Sequence, residues 1–237
     1  MRGILAAACS AVMAVAPAMA QAQSQAAASP VVVELYTSQG CSSCPPADAL
    51  VAELAKRNDV IPLALHVDYW DYIGWKDSRA QPAFTARQKA YAREAGQRTV
   101  YTPQMIVGGI DPVVGYKPME LAKLIDHQGD MPPYLEFSAV RNGGTVDIRA
   151  AAIADNLPEM VVQLVRYMPS DTVEIRSGEN AGRTITYANT VTEWRVLGTW
   201  DGKAPLRMRV EVSGSNPVVV ILQAEGPGPI KAAAVLR

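Results

Sequence analysis

The 237-residue chain sets 22 Lys and Arg against 23 Asp and Glu, a formal net charge of −1, and is 49% hydrophobic. A near-neutral chain without a long basic run gives no reason to expect nucleic acid as a partner, and its apolar content argues against a disordered polymer. Its length suits one large or two modest domains, each able to bury a core.

The first twenty residues read as an export signal. Arg2 supplies the positive start, an uncharged apolar run follows, and Ala18-Met19-Ala20 closes it with small residues at a cleavage spacing. The run is too short to span ~30 Å of hydrocarbon, so no membrane span is expected in the mature chain. A polar, Ala-rich leader occupies residues 21–30. The expected destination is secreted or periplasmic, hence oxidising. Cleavage removes Cys9 and leaves Cys41 and Cys44 as the only cysteines.

From Val31 the pattern alternates between strand and helix. Val31 to Thr37 is an apolar, β-branched run of the kind found in strands covered on both faces. After the cysteines, Leu50, Val51 and Leu54 share one helical face. A second buried strand runs from Val60 to Val67. An aromatic loop, D-Y-W-D-Y-I-G-W-K-D, leads to a helix from Pro82 to Ala95. Gln104 to Val107 is a third strand, which Gly108-Gly109 turn back into an antiparallel hairpin, and a helix follows from Pro118 to His127. This is an α/β order with a parallel pair at its centre. Asp130 to Pro133 reads as a hinge. Beyond it, short runs of period two separated by N-G-G, S-G-E-N, D-G and S-G-S-N predict an all-β, antiparallel sandwich-like domain over 134–237.

The chemistry concentrates in G-C-S-S-C-P-P-A-D, residues 40–48. A Cys-x-x-Cys pair between a buried strand and a helix is a redox arrangement. The helix start carries roughly half a positive charge and favours the thiolate of Cys41, which attacks a disulfide; Cys44 is close enough to resolve the mixed disulfide. Pro45 and Pro46 lack N–H groups, so the regular helix is expected to begin near Pro46, behind an irregular Cys-x-x-Cys turn.

With Thr102-Pro103 placed just before the third strand, residues 31–130 resemble the thioredoxin-like superfamily, with an insertion at 68–101. The resemblance implies a cis Pro103 against the cysteine pair, a Thr102 backbone that pairs with an extended substrate segment, and a buried acid near the position of Glu34 that moves protons for Cys44. Ser-Ser between the cysteines and Gly40 before them depart from the usual thioredoxin residues, which leaves the redox potential open. More narrowly, V-V-E-L-Y-T-S-Q-G-C-S-S-C-P-P-A-D, H-V-D-Y-W-D-Y-I-G-W-K-D, Y-T-P-Q-M and G-E-N-A-G-R-T-I-T-Y resemble a family of bacterial secreted proteins of unknown function with a thioredoxin-like half followed by a β-rich half.

Several residues keep two readings. Glu34 is a proton relay, or a strand-end carboxylate that reaches solvent or pairs with an arginine. His66 and Asp68, two apart on one face at a strand end, offer a general base or metal ligand, or else His66 is a hydrogen-bonded structural histidine. Trp70 and Trp75 are core packing for the insertion or an apolar substrate surface. The turn Gly178 to Arg183 is a plain hairpin loop or a contact to the redox domain or a ligand.

The function expected is an exported thiol-disulfide oxidoreductase acting on protein or small-thiol disulfides with an unidentified redox partner. Cys41, Cys44 and Glu34 would carry the chemistry, and Thr102, Pro103, Trp70 and Trp75 would bind substrate. No metal and no cofactor beyond the Cys41–Cys44 disulfide is required. Two alternatives stay open: copper(I) carriage by the two thiolates, since soft ligands select that ion, and a non-enzymatic binding protein with an idle bridge.

Overall fold

A computed structural model describes residues 29–237. The expected export signal and most of the polar leader lie outside the described residues.

Fifteen elements follow in chain order: β1 (Val31–Thr37), α1 (Pro45–Leu54), β2 (Val60–His66), a 3₁₀ turn (Asp71–Ile73), α2 (Pro82–Glu94), β3 (Gln104–Val107), β4 (Asp111–Val114), α3 (Pro118–Gly129), β5 (Leu135–Asn142), β6 (Thr145–Ala152), β7 (Met160–Glu174), β8 (Thr184–Trp200), β9 (Leu206–Glu211), β10 (Val218–Ala224) and β11 (Ile230–Leu236). β1 and β2 pair in parallel across α1, and β3 lies antiparallel to β1. Gly108 (φ 59°) and Gly109 (φ 80°) turn β3 back into β4, where a side chain would be strained.

The expected class, an α/β thioredoxin-like domain followed by a separate all-β sandwich, is overturned. The molecule is mostly β, and strands from both halves form one mixed sheet of eight in the order β11-β10-β7-β8-β2-β1-β3-β4. Only β5, β6 and β9 form a second, three-stranded sheet. The halves join where β8 runs parallel to β2 at Ala64 and Thr190. The junction has a sequence cause. Pro62 interrupts the donors of β2, and Asn189, at φ 50°, turns its amide to donate to the Pro62 carbonyl at 2.8 Å.

Side-chain alternation divides the big sheet into two faces. Val32 and Tyr36 of β1, Leu63 and Leu65 of β2, Val219 and Ile221 of β10 and Phe84 and Tyr91 of α2 share one cluster, so one face runs beneath α2 across both halves. On the other face, Val33 and Leu35 pack on α1 and α3. At the far end of that face, Val162, Leu164, Val220 and Leu222 meet the small sheet through Val146, Ile148 and Leu206. Burying each such side chain contributes about 1.5–3 kcal/mol, so the α2 cluster joins the halves in addition to the β2–β8 pairing.

Candidate functional site

β1 ends at Thr37, and the chain makes two tight turns before α1. The Cys41 N–H donates to the Ser38 carbonyl at 3.1 Å, and the Cys44 N–H donates to the Cys41 carbonyl at 3.2 Å. Cys44 is the N-cap of α1, and Pro45 and Pro46 fill its first two positions. N–H groups there have no intrahelical acceptor, so the prolines forfeit no helix bond. The helix thus begins at Pro45, one residue earlier than expected. Cys41 and Cys44 are joined, with an S–S distance of 2.11 Å and Cα atoms 5.4 Å apart.

The bridge is covered. Cys41 is 1% exposed and Cys44 is fully buried, while Ser42 and Ser43 between them face solvent. The Ser43 hydroxyl lies 3.4 Å from Cys41 Sγ. Gly40 is hemmed in by the aromatic loop: a Cβ there would stand 3.1 Å from Ile73 Cδ1 and 3.2 Å from Trp70 Cβ. Trp70 Nε1 donates to Thr102 Oγ1 at 2.7 Å, and the Thr102–Pro103 bond is cis. Trp75 Nε1 donates to Gln39 Oε1 at 2.8 Å. Cys41, Cys44, Trp70, Trp75 and the Thr102–Pro103 turn therefore form one linked group.

The third wall comes from the tip of the β7–β8 hairpin. Asn180 Nδ2 donates to the carbonyls of Gln39 and Cys41, each at 2.9 Å, and the Ser42 N–H donates to Glu179 Oε2 at 3.3 Å. The turn Gly178 to Arg183 is at once a hairpin loop and a contact to the cysteine loop.

Glu34 stands apart from this group. On β1 it shares a face with Tyr36, the face under α2, whereas Val33, Leu35 and Thr37 face α1. Its carboxylate accepts two bonds from Arg87, at 2.7 and 2.8 Å, one from Tyr36 at 2.9 Å and one from Tyr91 at 2.7 Å. Burial first, and then the Glu34 charge, pushes both tyrosine hydroxyls well above their ordinary range.

Three other buried polar groups lie behind the cysteines. Asp48, four residues after Cys44 and so on the same side of α1, accepts the Thr37 hydroxyl at 2.7 Å, and its Oδ2 has no partner. Burial pushes its carboxyl up to about 7; His66 and the Thr37 bond pull the other way, and Asp77 adds to the rise. His66 is fully buried, its Nδ1 is 2.7 Å from Asp77 Oδ2, and its Nε2 has no partner. Burial works to raise the Asp77 carboxyl, but bonds from His66 and from the backbone N–H groups of Gln39 and Arg79 hold it below the usual range. The partner of His66 is thus Asp77 in the aromatic loop; Asp68 instead accepts the Thr85 hydroxyl at 2.5 Å. Helical spacing from Cys44 is the signal in the sequence that marks Asp48. Nothing local marks Asp77, which lies in irregular backbone.

Among the described residues, no group of three or more His, Cys, Asp or Glu is placed to hold a metal ion, and no helix is long and apolar enough to cross a membrane.

Residues 32–223 match a family described as "Protein of unknown function (DUF1223)". The chain belongs to the DUF1223 family. It is also similar to protein AGR_C_4864 from Agrobacterium tumefaciens, whose crystal structure has 33% identity and a TM-score of 0.75, covering 87% of this chain and 93% of that one. A second solved structure, HBP35 of Porphyromonas gingivalis, shares the fold at 16% identity and a TM-score of 0.61, over 88% of this chain and 74% of that one. No curated protein matches the chain. Membership in this family carries no reaction with it.

Proposed function

We propose that this DUF1223 chain is an exported thiol-disulfide oxidoreductase. The observation that carries the reading is the Cys41–Cys44 bridge at the start of α1, with Ser42 and Ser43 as its exposed side. In the reduced protein the Cys41 thiolate attacks one sulfur of a substrate disulfide. That bond breaks, the other substrate sulfur leaves as a thiolate, and a mixed disulfide forms. Cys44, deprotonated, attacks Cys41 Sγ, closes the bridge and releases the second substrate thiol. Two electrons pass to the substrate, and a dithiol partner must return them; run in reverse, the same steps oxidise a dithiol. Trp70 and Trp75 spend their indole N–H groups inside the protein, so a substrate segment beside Thr102 and Pro103 meets their ring faces. Tyr72, 81% exposed in the same loop, extends that apolar surface.

The test is trapping. A Cys44→Ala chain is expected to accumulate a mixed disulfide with disulfide-bonded substrate proteins, and Cys41→Ala in addition is expected to abolish it. Equal adduct yields from both chains would end the reading. The burial of both sulfurs favours a second reading, a binding protein with an idle bridge, in which replacing both cysteines leaves partner binding intact.

A further inference from the structure

Asn180 and Cys41 are 139 positions apart in the chain, yet the β7–β8 hairpin tip holds the cysteine loop tightly. Asn180 is 1% exposed, and its two bonds go to the carbonyls of Gln39 and Cys41. These carbonyls belong to the Gln39–Gly40 and Cys41–Ser42 peptides, so one amide group fixes the peptide planes before and after the Gly40-Cys41 pair. The Cys41 carbonyl also accepts the Cys44 N–H, which ties Asn180 into the turn that links the two sulfurs. Glu179 takes the Ser42 N–H, the amide joined directly to Cys41. Its carboxylate is thereby held within one residue of Sγ.

The tip is itself anchored. Ser177 Oγ donates to the Gly74 carbonyl at 2.5 Å, and the Gly182 N–H donates to the Ile175 carbonyl at 2.8 Å. Gly178, at φ 79°, passes so close to Trp75 that a Cβ would lie 3.1 Å from the Trp75 Cβ. The hairpin is thus fixed to the aromatic loop through Ser177 and Gly178, and it presents an acceptor charge and a donor amide to the cysteine loop.

We propose that the hairpin tip sets the reactivity of Cys41: Asn180 is a positioning residue that holds the cysteine turn at the positive end of α1, and Glu179 is a charge that opposes the thiolate. The proposal rests on Cys41 as the attacking thiol. The two residues act in opposite directions, and that separates them from any structural role. Without Asn180, the turn loosens and the sulfur leaves the helix end that favours its anion. Without the Glu179 charge, a like-charge repulsion disappears and the anion forms more readily.

The experiment uses the full chain carrying Cys44→Ala, reduced, and follows iodoacetamide alkylation of the Cys41 peptide by mass spectrometry from pH 5 to 10. Adding Asn180→Ala is expected to raise the midpoint of the rate profile, and adding Glu179→Gln to lower it, each by about half a pH unit. The Glu179 shift should shrink in 1 M salt. Asn180→Asp keeps the size of the side chain but cannot donate, so it should shift the midpoint upward too and serves if Asn180→Ala does not fold. Shifts of the same sign from both positions would mean general loosening and would overturn the proposal, as would no shift from either. Opposite shifts in a chain that traps no mixed disulfide would uphold the tuning and remove the oxidoreductase reading alone.

Discussion

Asp48 is the residue at which burial and charge are most openly opposed. Its carboxyl is almost wholly buried, one oxygen has no partner, and burial lifts it to about 7. An unfolded Asp loses its proton near pH 3.9. Between about pH 4 and 7 the folded chain therefore holds a proton that the unfolded chain has released, and stability must fall as pH rises through that window. Three pH units at 1.36 kcal/mol each set an upper bound of about 4 kcal/mol for the loss. Asp48→Asn retains an acceptor for the Thr37 hydroxyl and removes the titration. Denaturant unfolding at pH 4 and pH 8 is expected to show little difference between the two chains at pH 4 and a clearly more stable variant at pH 8. An equal gap at both pH values would mean that Asp48 does not titrate in this range. Glu34 is the contrasting case, since Arg87 and two tyrosines complete its shell. Such an arrangement holds β1 and α2 together, with Arg87 as the partner of the buried Glu34 carboxylate.

The elements differ in how much of them the sequence revealed, and the reasons are physical. β1 and β2 are continuous apolar runs, and their hydrophobicity survives any choice of partner. The period-two pattern predicts separate strands over Met160 to Tyr167 and Thr172 to Ile175, yet β7 is continuous from Met160 to Glu174. β10 pairs with β7 only up to Arg166, so at Pro169 no ladder on that side needs the missing N–H. Asn189 ends another strand that the pattern predicts, Arg183 to Asn189. It is instead a kink within β8, which runs on to Trp200. β11, I-K-A-A-A-V-L, was missed because an alanine run carries no strand propensity; it is fixed by its antiparallel pairing with β10. At the site, the cysteine spacing and Thr102-Pro103 were legible because both are local. Asp77 was not, because its contact to Gln39 spans 38 positions, and the turn that carries Asn180 kept two readings because its contact spans 141. The Asn189 kink can be tested. Asn189→Ala loses the bond to Pro62 and keeps a Cβ at positive φ, at a cost of about 2 kcal/mol. Asn189→Gly loses the bond alone and should be the more stable of the two in urea unfolding. The reverse order would mean that the backbone relaxes away from φ 50° when the amide is gone.

At the scale of the whole molecule, the shared sheet decides how the chain comes apart. Without the C-terminal half, β2 would present a bare edge where β8 now pairs, and the face beneath α2 would lose Val165, Tyr167, Val191, Val219, Ile221 and Ala233. Without the N-terminal half, those same residues would lose Phe84, Tyr91 and the β1–β2 pair. Neither loss is small against a net stability of about 5–15 kcal/mol, so the halves should open together. Native-state hydrogen exchange provides the measurement. The slowest amides of β1 and β2 and those of β7 and β10 are expected to exchange through one global opening, with equal free energies and equal denaturant slopes. The cysteine loop should belong to the same unit, since Asn180 carries the hairpin into it. Two separate plateaus, one for residues 31–130 and one for 134–237, would show that the contact across α2 is a docked surface between independent domains. The hairpin tip would then be free to leave Cys41 while both cores stay folded.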